Sequence, residues 1–322
     1  MERSSLLAAS YALDWLIGDP EWMPHPVRGM GWAIATGERV LRKSGSGKRW
    51  ELATGGLLAA TVPLVAAYTA KDIIRAAYTR QHVLGLIFEA WLAAACLATR
   101  NLLDEAAQVI RAIDEGDVAA ARRRLARIVG RDAQSLDERE ICRAVIETLA
   151  ESFSDGIIAP LFYLSLGGVP AGIAYKAVNT LDSMIGHLDL KYRWFGRVAA
   201  RLDDAANWIP ARISAILICI AAKMVCGRGS GLRAVRIWLR DGSHHASPNA
   251  GQVESAMAGA VAARLGGSNR YDGERVESPL LGAEFQQPNR SAAVSALRVV
   301  AVASLLGVAA AWLSTRSNRH GG

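Results

Sequence analysis

Six polar clusters in this 322-residue chain stand beside or within apolar runs. At bilayer mid-depth an ionised side chain costs about 2.5–3.5 kcal/mol on insertion scales, so such groups line cavities or pair internally, and chemistry is sought there first. The most regular is Glu147-x3-Glu151-x3-Asp155. Residues four apart advance only about 40° around a helix, so the three acids form one stripe, with Arg143 a turn earlier. A solvated helix face explains many such stripes. This one runs directly into the apolar residues from Gly156, where carboxylates suit Mg²⁺, a cation that takes oxygen ligands and bridges to phosphates. Farther on, Lys176, Asn179 and Ser183 share a face with Asp182 beside them, following a Gly167-Gly168-Val169-Pro170 break; Pro170 suits the first turn of a new half-helix. Arg197, Arg201, Asp204 and Asn207 make another stripe, with Asp203 adjacent and Arg212 beyond Pro210. Ion pairs between helices are the alternative reading of both.

Three further groups are less regular. Asp14, Asp19, His25 and Arg28 lie around Pro20, Pro24 and Pro26, which force a turned path; they would converge on a phosphate or a metal, or form an interfacial loop. His244-His245 opens a turn containing Asn249 ahead of a helix at Gln252–Arg264, but adjacent histidines are not the two-turn zinc pair of a metalloprotease. Tyr271-Asp272-Gly273-Glu274 reads as a turn, and Glu89 as a polar partner inside a bundle. Acids, amines and guanidinium groups at the ends of apolar runs fit Mg²⁺-phosphate chemistry better than hydrolysis or redox work. No nucleophile elbow, Walker loop or GxGxxG occurs. Cys96, Cys142, Cys219 and Cys226 have no metal-site or redox spacing and read as small buried hydrophobes.

The elements that must position these groups follow from hydropathy. Apolar residues make up 51% of the chain and charged residues 21%, which excludes both a disordered chain and one built of membrane helices alone. Leu52–Ala70 carries no charge over 19 residues, close to the roughly 20 that a 30 Å hydrocarbon layer requires. Apolar runs at 83–99, 156–178, 205–225 and 299–313 complete five expected spans; Ser5–Gly18 is too short to count, and the N-terminal segment reads as retained. Between spans, 100–155 and 227–298 read as helical loops. Ser135-x-x-Glu138 has the form of a capping box, Gly130 a helix stop, and no useful β alternation appears. The fold expected is all-α: a single, polytopic integral-membrane helical bundle with amphipathic helical loops. Placing Asp19–Glu51 (six Lys/Arg) and both long loops on the cytoplasmic side satisfies the positive-inside tendency. The net charge of +7 is scattered rather than set in a stripe with aromatics, so lipid headgroups and a phosphorylated substrate are the expected partners and nucleic acid is not.

Several long strings, in order, carry a resemblance: DWLIGDPEWMPHPVRGMG, VGRDAQSLDE, AVIETLAESFSDGIIAPLFY, GGVPAGIAYKAVNTLDSMIGH, FGRVAARLDDAANWIPAR and SPNAGQVESAMAGAVAARLGG. Across most of Asp14–Gly282 the chain resembles the adenosylcobinamide-phosphate synthases of cobalamin biosynthesis, the CbiB/CobD family. Ser152 stands where an Asn is expected and Gln252 where a bulky residue is common. The resemblance implies a multi-pass enzyme of the cell (inner) membrane. The activity it implies is ATP-dependent amide formation between adenosylcobyric acid and 1-aminopropan-2-ol or its O-phosphate, alongside other corrinoid-pathway enzymes. Within that activity we assign Mg²⁺·ATP to Glu147, Glu151 and Asp155, or to Asp203 and Asp204. Lys176 and Arg201 would neutralise phosphate oxygens, Arg28 or Arg212 grip the aminopropanol phosphate, and His25 act as base for the amine. Glu151 and Asp204 are further catalytic candidates, and Asn179, Asn207 and Asn249 substrate-binding ones. Two other readings remain: an intramembrane prenyl-diphosphate transferase, whose NDxxDxxxD and DxxxD repeats are absent here, and a non-enzymatic scaffold tethering corrinoid enzymes.

Overall fold

Apolar residues without a polar stripe are stable as helices only where lipid or other helices surround them, because a helix satisfies its own backbone hydrogen bonds. The computed structural model of the chain describes residues 1–18, 22, 25–43, 45, 47–187, 191–271 and 273–317. Its helices are α1 (Arg3–Ile17), α2 (Pro26–Leu41), α3 (Lys48–Arg80), α4 (His82–Ala94), α5 (Thr99–Asp114), α6 (Val118–Leu125), α7 (Glu138–Phe153), α8 (Ala159–Ile185), α9 (Arg197–Val225), α10 (Arg228–Asp241), α11 (Ala250–Val261) and α12 (Arg290–Ser317). A π-helical turn, Ser154–Ile158, joins α7 to α8, and two strands, β1 (Leu265–Tyr271) and β2 (Glu274–Leu281), precede α12.

Five segments are long and apolar enough to cross a membrane: Lys48–Arg80, His82–Asp114, Glu138–Ile185, Arg197–Val225 and Arg290–Arg316. They contain the five apolar runs read from the sequence. Large apolar side chains stand exposed along them, among them Leu64 and Tyr68 on α3, Ile87 on α4, Ile216 and Ile220 on α9 and Leu305 on α12, as lipid-facing helices require. The chain is a helical membrane bundle.

The chain divides into two compact units. The first comprises Met1–Ala98, Ala159–Asn207 and Val308–Gly322. There α3 packs on α8, α4 and α2, while α1 packs on α4 and α8. Its core joins Ile34, Leu58, Ala59, Leu181, Ile185, Phe195 and Ala199. Gly55 permits a close approach: a Cβ there would lie 1.8 Å from the Phe195 carbonyl oxygen. Gly168, at φ 66° and ψ −158°, kinks α8 two residues before Pro170, the break expected from the Gly-Gly-Val-Pro string. Tyr78 donates to Glu89 at 2.6 Å, giving that acid its polar partner.

The second unit comprises Thr99–Ile158 and Trp208–Gly307. In it α7 packs against α5, α6 and α11, and α10 lies along α11. All four cysteines are free; Cys96, Cys142 and Cys219 are buried. Four local expectations need correction. The 227–298 loop is not wholly helical, since β1 and β2 pair antiparallel from Leu265↔Leu281 to Tyr271↔Glu274, with a register shift between Leu265 and Gly267. Gly266 and Gly267, both at positive φ, lie at the start of this hairpin, and α11 stops at Val261 rather than at Arg264. The capping box is formed two residues later, by Asp137 and Glu140. Arg122 holds the Leu136 carbonyl at 2.8 Å, and Leu136 and Ile141, both buried, then occupy the hydrophobic-staple positions. Finally, α6 ends at Leu125, ahead of Gly130. Asp19, Pro20, Pro24 and Asp272 lie outside the described residues.

The contact at Gly55 sets a test. Gly55→Ala should destabilise the purified protein in detergent by about 1–3 kcal/mol or more through overpacking. Gly229→Ala, on exposed α10 with no atom within 4 Å of the added Cβ, should stabilise it by about 0.5–1 kcal/mol. Thermal melts of both variants check this.

Candidate functional site

In the first unit, the half-helix after Gly168 and the start of α9 bring a polar ladder together. Asn207, almost completely buried, donates to Asp203 at 3.0 Å and accepts from the Tyr175 hydroxyl at 2.8 Å. Asn179 approaches the other Asp203 oxygen at 3.5 Å, and Asp182 adds a second negative charge nearby. Tyr163 stacks on Tyr175 at 5.0 Å and donates to the Ala206 carbonyl at 3.0 Å. Asp203, Asn179 and Asn207 thus meet. Asp204 instead turns to exposed Arg201 at 3.6 Å, a pair worth little in water. Lys176 is half-buried on α8, within electrostatic reach of the Cys96 thiol. His25 caps α2, its Nδ1 accepting from the Val27 amide at 3.3 Å, and Arg28 stands exposed on the next turn.

The second unit holds a more deeply buried cluster. Glu147 on α7 receives Arg131 on one oxygen at 2.5 Å and the Gly266 amide on the other at 2.9 Å. Asn269 on β1 bonds to Arg131 and accepts from Arg143 at 3.0 Å; Arg143 also reaches the carbonyls of Gly266 and Ser268. Glu254 on α11 is buried beside Glu147 and Glu151 and makes no hydrogen bond to any described residue. Burial pushes its carboxyl well above the ordinary value of 4.5; Glu147 and Glu151 push it further and Arg131 opposes them. Burial also lowers His245, whose Nδ1 accepts from the Ser247 amide at 3.0 Å, while Glu147 acts in the opposite sense. Glu151 is exposed on the next turn of α7, and Asp155 is half-buried in the π-helical turn. Arg212 lies 4.2 Å over the Trp208 ring and 3.5 Å from Asn249, so these two expected substrate contacts are neighbours. Gln252 ties Trp238 to the Gly242 carbonyl, both at 2.9 Å, which accounts for an amide in place of a bulky side chain.

Among the described residues no three His, Cys, Asp or Glu side chains are grouped to hold a metal ion. Glu147 is engaged by Arg131 and the Gly266 amide, while Glu151 and Asp155 follow on the next two turns. Sequence reasoning missed Glu254, Arg131 and Asn269 as members of this cluster. Arg131 stands inside one of the quoted strings, and Glu254 at the head of a helix, but only the hairpin brings Asn269 to them.

Fold and site together define a polytopic helical membrane protein with buried acid–guanidinium networks. The chain belongs to the CobD/Cbib protein family, whose model matches residues 7–300. It is 44% identical to the cobalamin biosynthesis protein CobD of Klebsiella pneumoniae and 43% identical to CbiB of Salmonella typhi, over 93% of both chains in each case. CobD of Geobacter metallireducens is 43% identical over 87% of each. No solved structure gives a significant match.

The raised Glu254 carboxyl gives stability a pH dependence of known sign. The native state keeps a proton that the unfolded chain has released above about pH 4.5, so this group's contribution falls as pH rises from there until the native carboxyl itself ionises. Glu254→Gln, which keeps the shape without the charge, should flatten that fall, melting higher than the parent at pH 8 and alike at pH 4. Melting curves in detergent at both values decide it.

Proposed function

We propose that this protein acts in cobalamin biosynthesis as a multi-pass enzyme of the cell (inner) membrane, joining adenosylcobyric acid to 1-aminopropan-2-ol or its O-phosphate through an amide bond at the expense of ATP. The observation that carries the reading is the family match across 7–300, with relatives named as cobalamin biosynthesis proteins at 43–44% identity over nearly their whole length. Five apolar segments and buried cations and carboxylates on the helices supporting them are consistent with it.

In this reaction a corrin propionate attacks the γ-phosphorus of ATP, giving an acyl phosphate and ADP. The amine then attacks the acyl carbon, phosphate leaves, and the ammonium proton passes to a base. Positive charge fixed where phosphoryl charge develops is the main help such a transfer needs. Lys176 and Arg201 are the proposed source of it, Arg212 with its neighbour Asn249, or Arg28, the proposed grip on the amine's phosphate, and His25 the proposed base. The Asp203–Asn207–Tyr175 ladder fixes the face of α9 from which Arg201 and Asp204 extend. Mg²⁺ would accompany ATP and screen its phosphates; Glu147, Glu151 and Asp155, or Asp203 and Asp204, are the acids proposed to hold it, and no step is assigned through the metal.

Membranes containing the protein, supplied with adenosylcobyric acid, ATP and either amine, should form the corrinoid amide, read by mass spectrometry. Lys176→Ala and Glu151→Ala should each lower the rate by about 10²–10³, the usual loss when one transition-state charge partner is removed, at unchanged protein abundance. Full activity in both variants would discard the roles, and absence of amide from the parent protein would discard the reaction.

A further inference from the structure

Against the Gly266–Ser268 backbone the second unit has a cavity of about 260 Å³ that Glu147 does not line. Arg139 and Arg143 of α7 and Arg264 line it together with Gly266, Gly267 and Ser268. Glu140 is the acid on its lining, and that carboxylate already accepts from the Asp137 amide at 2.9 Å in the α7 cap. Arg139 and Arg264 make no side-chain hydrogen bond or ion pair with any described residue. Arg143 is 9% exposed, and its Nε is buried without an acceptor although both terminal nitrogens are held by Gly266, Ser268 and Asn269.

A buried donor without an acceptor is costly, and three guanidinium groups gathered against one engaged carboxylate repel one another unless an anion joins them. The backbone is fitted to this arrangement. At Gly267, φ is +92° and a Cβ would come 3.2 Å from an Arg143 nitrogen; at Gly266, φ is +78° and a Cβ would strike the Pro279 carbonyl. Arg264 is fixed by its own amide, which donates to the Gln286 carbonyl at 2.9 Å. Guanidinium forks match phosphate oxygens bidentately, and a surplus of two positive charges matches a phosphate dianion. The volume is below the 300–1,000 Å³ usual for whole organic ligands, so it suits one phosphoryl group, free or at the end of a larger molecule. We propose that Arg139, Arg143, Arg264 and the Gly266–Ser268 backbone form a phosphate-binding site.

The proposal stands on the cavity and not on the ligase reading, so its test uses no turnover. Detergent-purified full chain is dialysed against radiolabelled inorganic phosphate, and phosphoethanolamine, ATP, adenosine and acetate are added as competitors. The parent protein should retain phosphate, less so as salt is raised, and an R139Q/R264Q variant should bind it at least about tenfold more weakly with an unchanged melting temperature. Preferential displacement by phosphoethanolamine identifies the end of a small phosphate monoester as the occupant, and preferential displacement by ATP a nucleotide tail; both uphold the site. Equal retention by parent and variant, no retention by the parent, or displacement by acetate as effective as by phosphoethanolamine or ATP would overturn it. Retention of phosphate without amide formation would leave this site standing and remove the reaction.

Discussion

A carboxylate taken out of water beside two others is costly unless a guanidinium group stands against it, and in the second unit Arg131 stands against Glu147. Arg131 neutralises Glu147, while Arg143 and the Gly266 amide fasten the hairpin to α7. Removing one partner of such a buried pair typically costs about 3–5 kcal/mol, because the other charge is left stranded. Glu254 has no such paired contact among the described residues, and burial pushes its carboxyl well above the ordinary 4.5 although Arg131 opposes this. The acids of α7 are therefore structural as well as chemical, which a stripe of like charges drawn on a helical wheel does not reveal.

The hairpin meets both kinds of group. Gly266 gives its amide to Glu147 and its carbonyl to Arg143, so one residue touches an acidic interior and an arginine-lined cavity. In the first unit polar groups are satisfied differently, through neutral amides and a phenol: Asn207 and Asn179 bond to Asp203, and Tyr175 bonds to Asn207, with no cation on that carboxylate among the described residues.

Much of this was legible in the residues. Leu52–Ala70 has the length and neutrality of a span, and it lies in α3; the Gly167–Pro170 string marked the kink at Gly168; Asn179, Asp203 and Asn207 were singled out and stand within one ladder. The hairpin was not legible, because β1 opens with two glycines at positive φ and a register shift, which erase the alternation a strand is recognised by. With it went Asn269 and the arginine-lined cavity. The shift of the cap from Ser135 to Asp137 was also hidden, since both have an acid three residues on, and the Arg122 contact to the Leu136 carbonyl comes from α6, outside the motif.

The sequence by itself determined the helical class, the apolar segments and the family, because hydropathy, helical spacing and long ordered strings are local properties that need no partner to be read. Tertiary structure decided which charges are neutralised, which carboxyl is pushed above its ordinary value and which arginines line a cavity. Those outcomes depend on desolvation and on donors brought from more than a hundred residues away, as Gly266 is to Glu147, and no spacing along the chain encodes that distance.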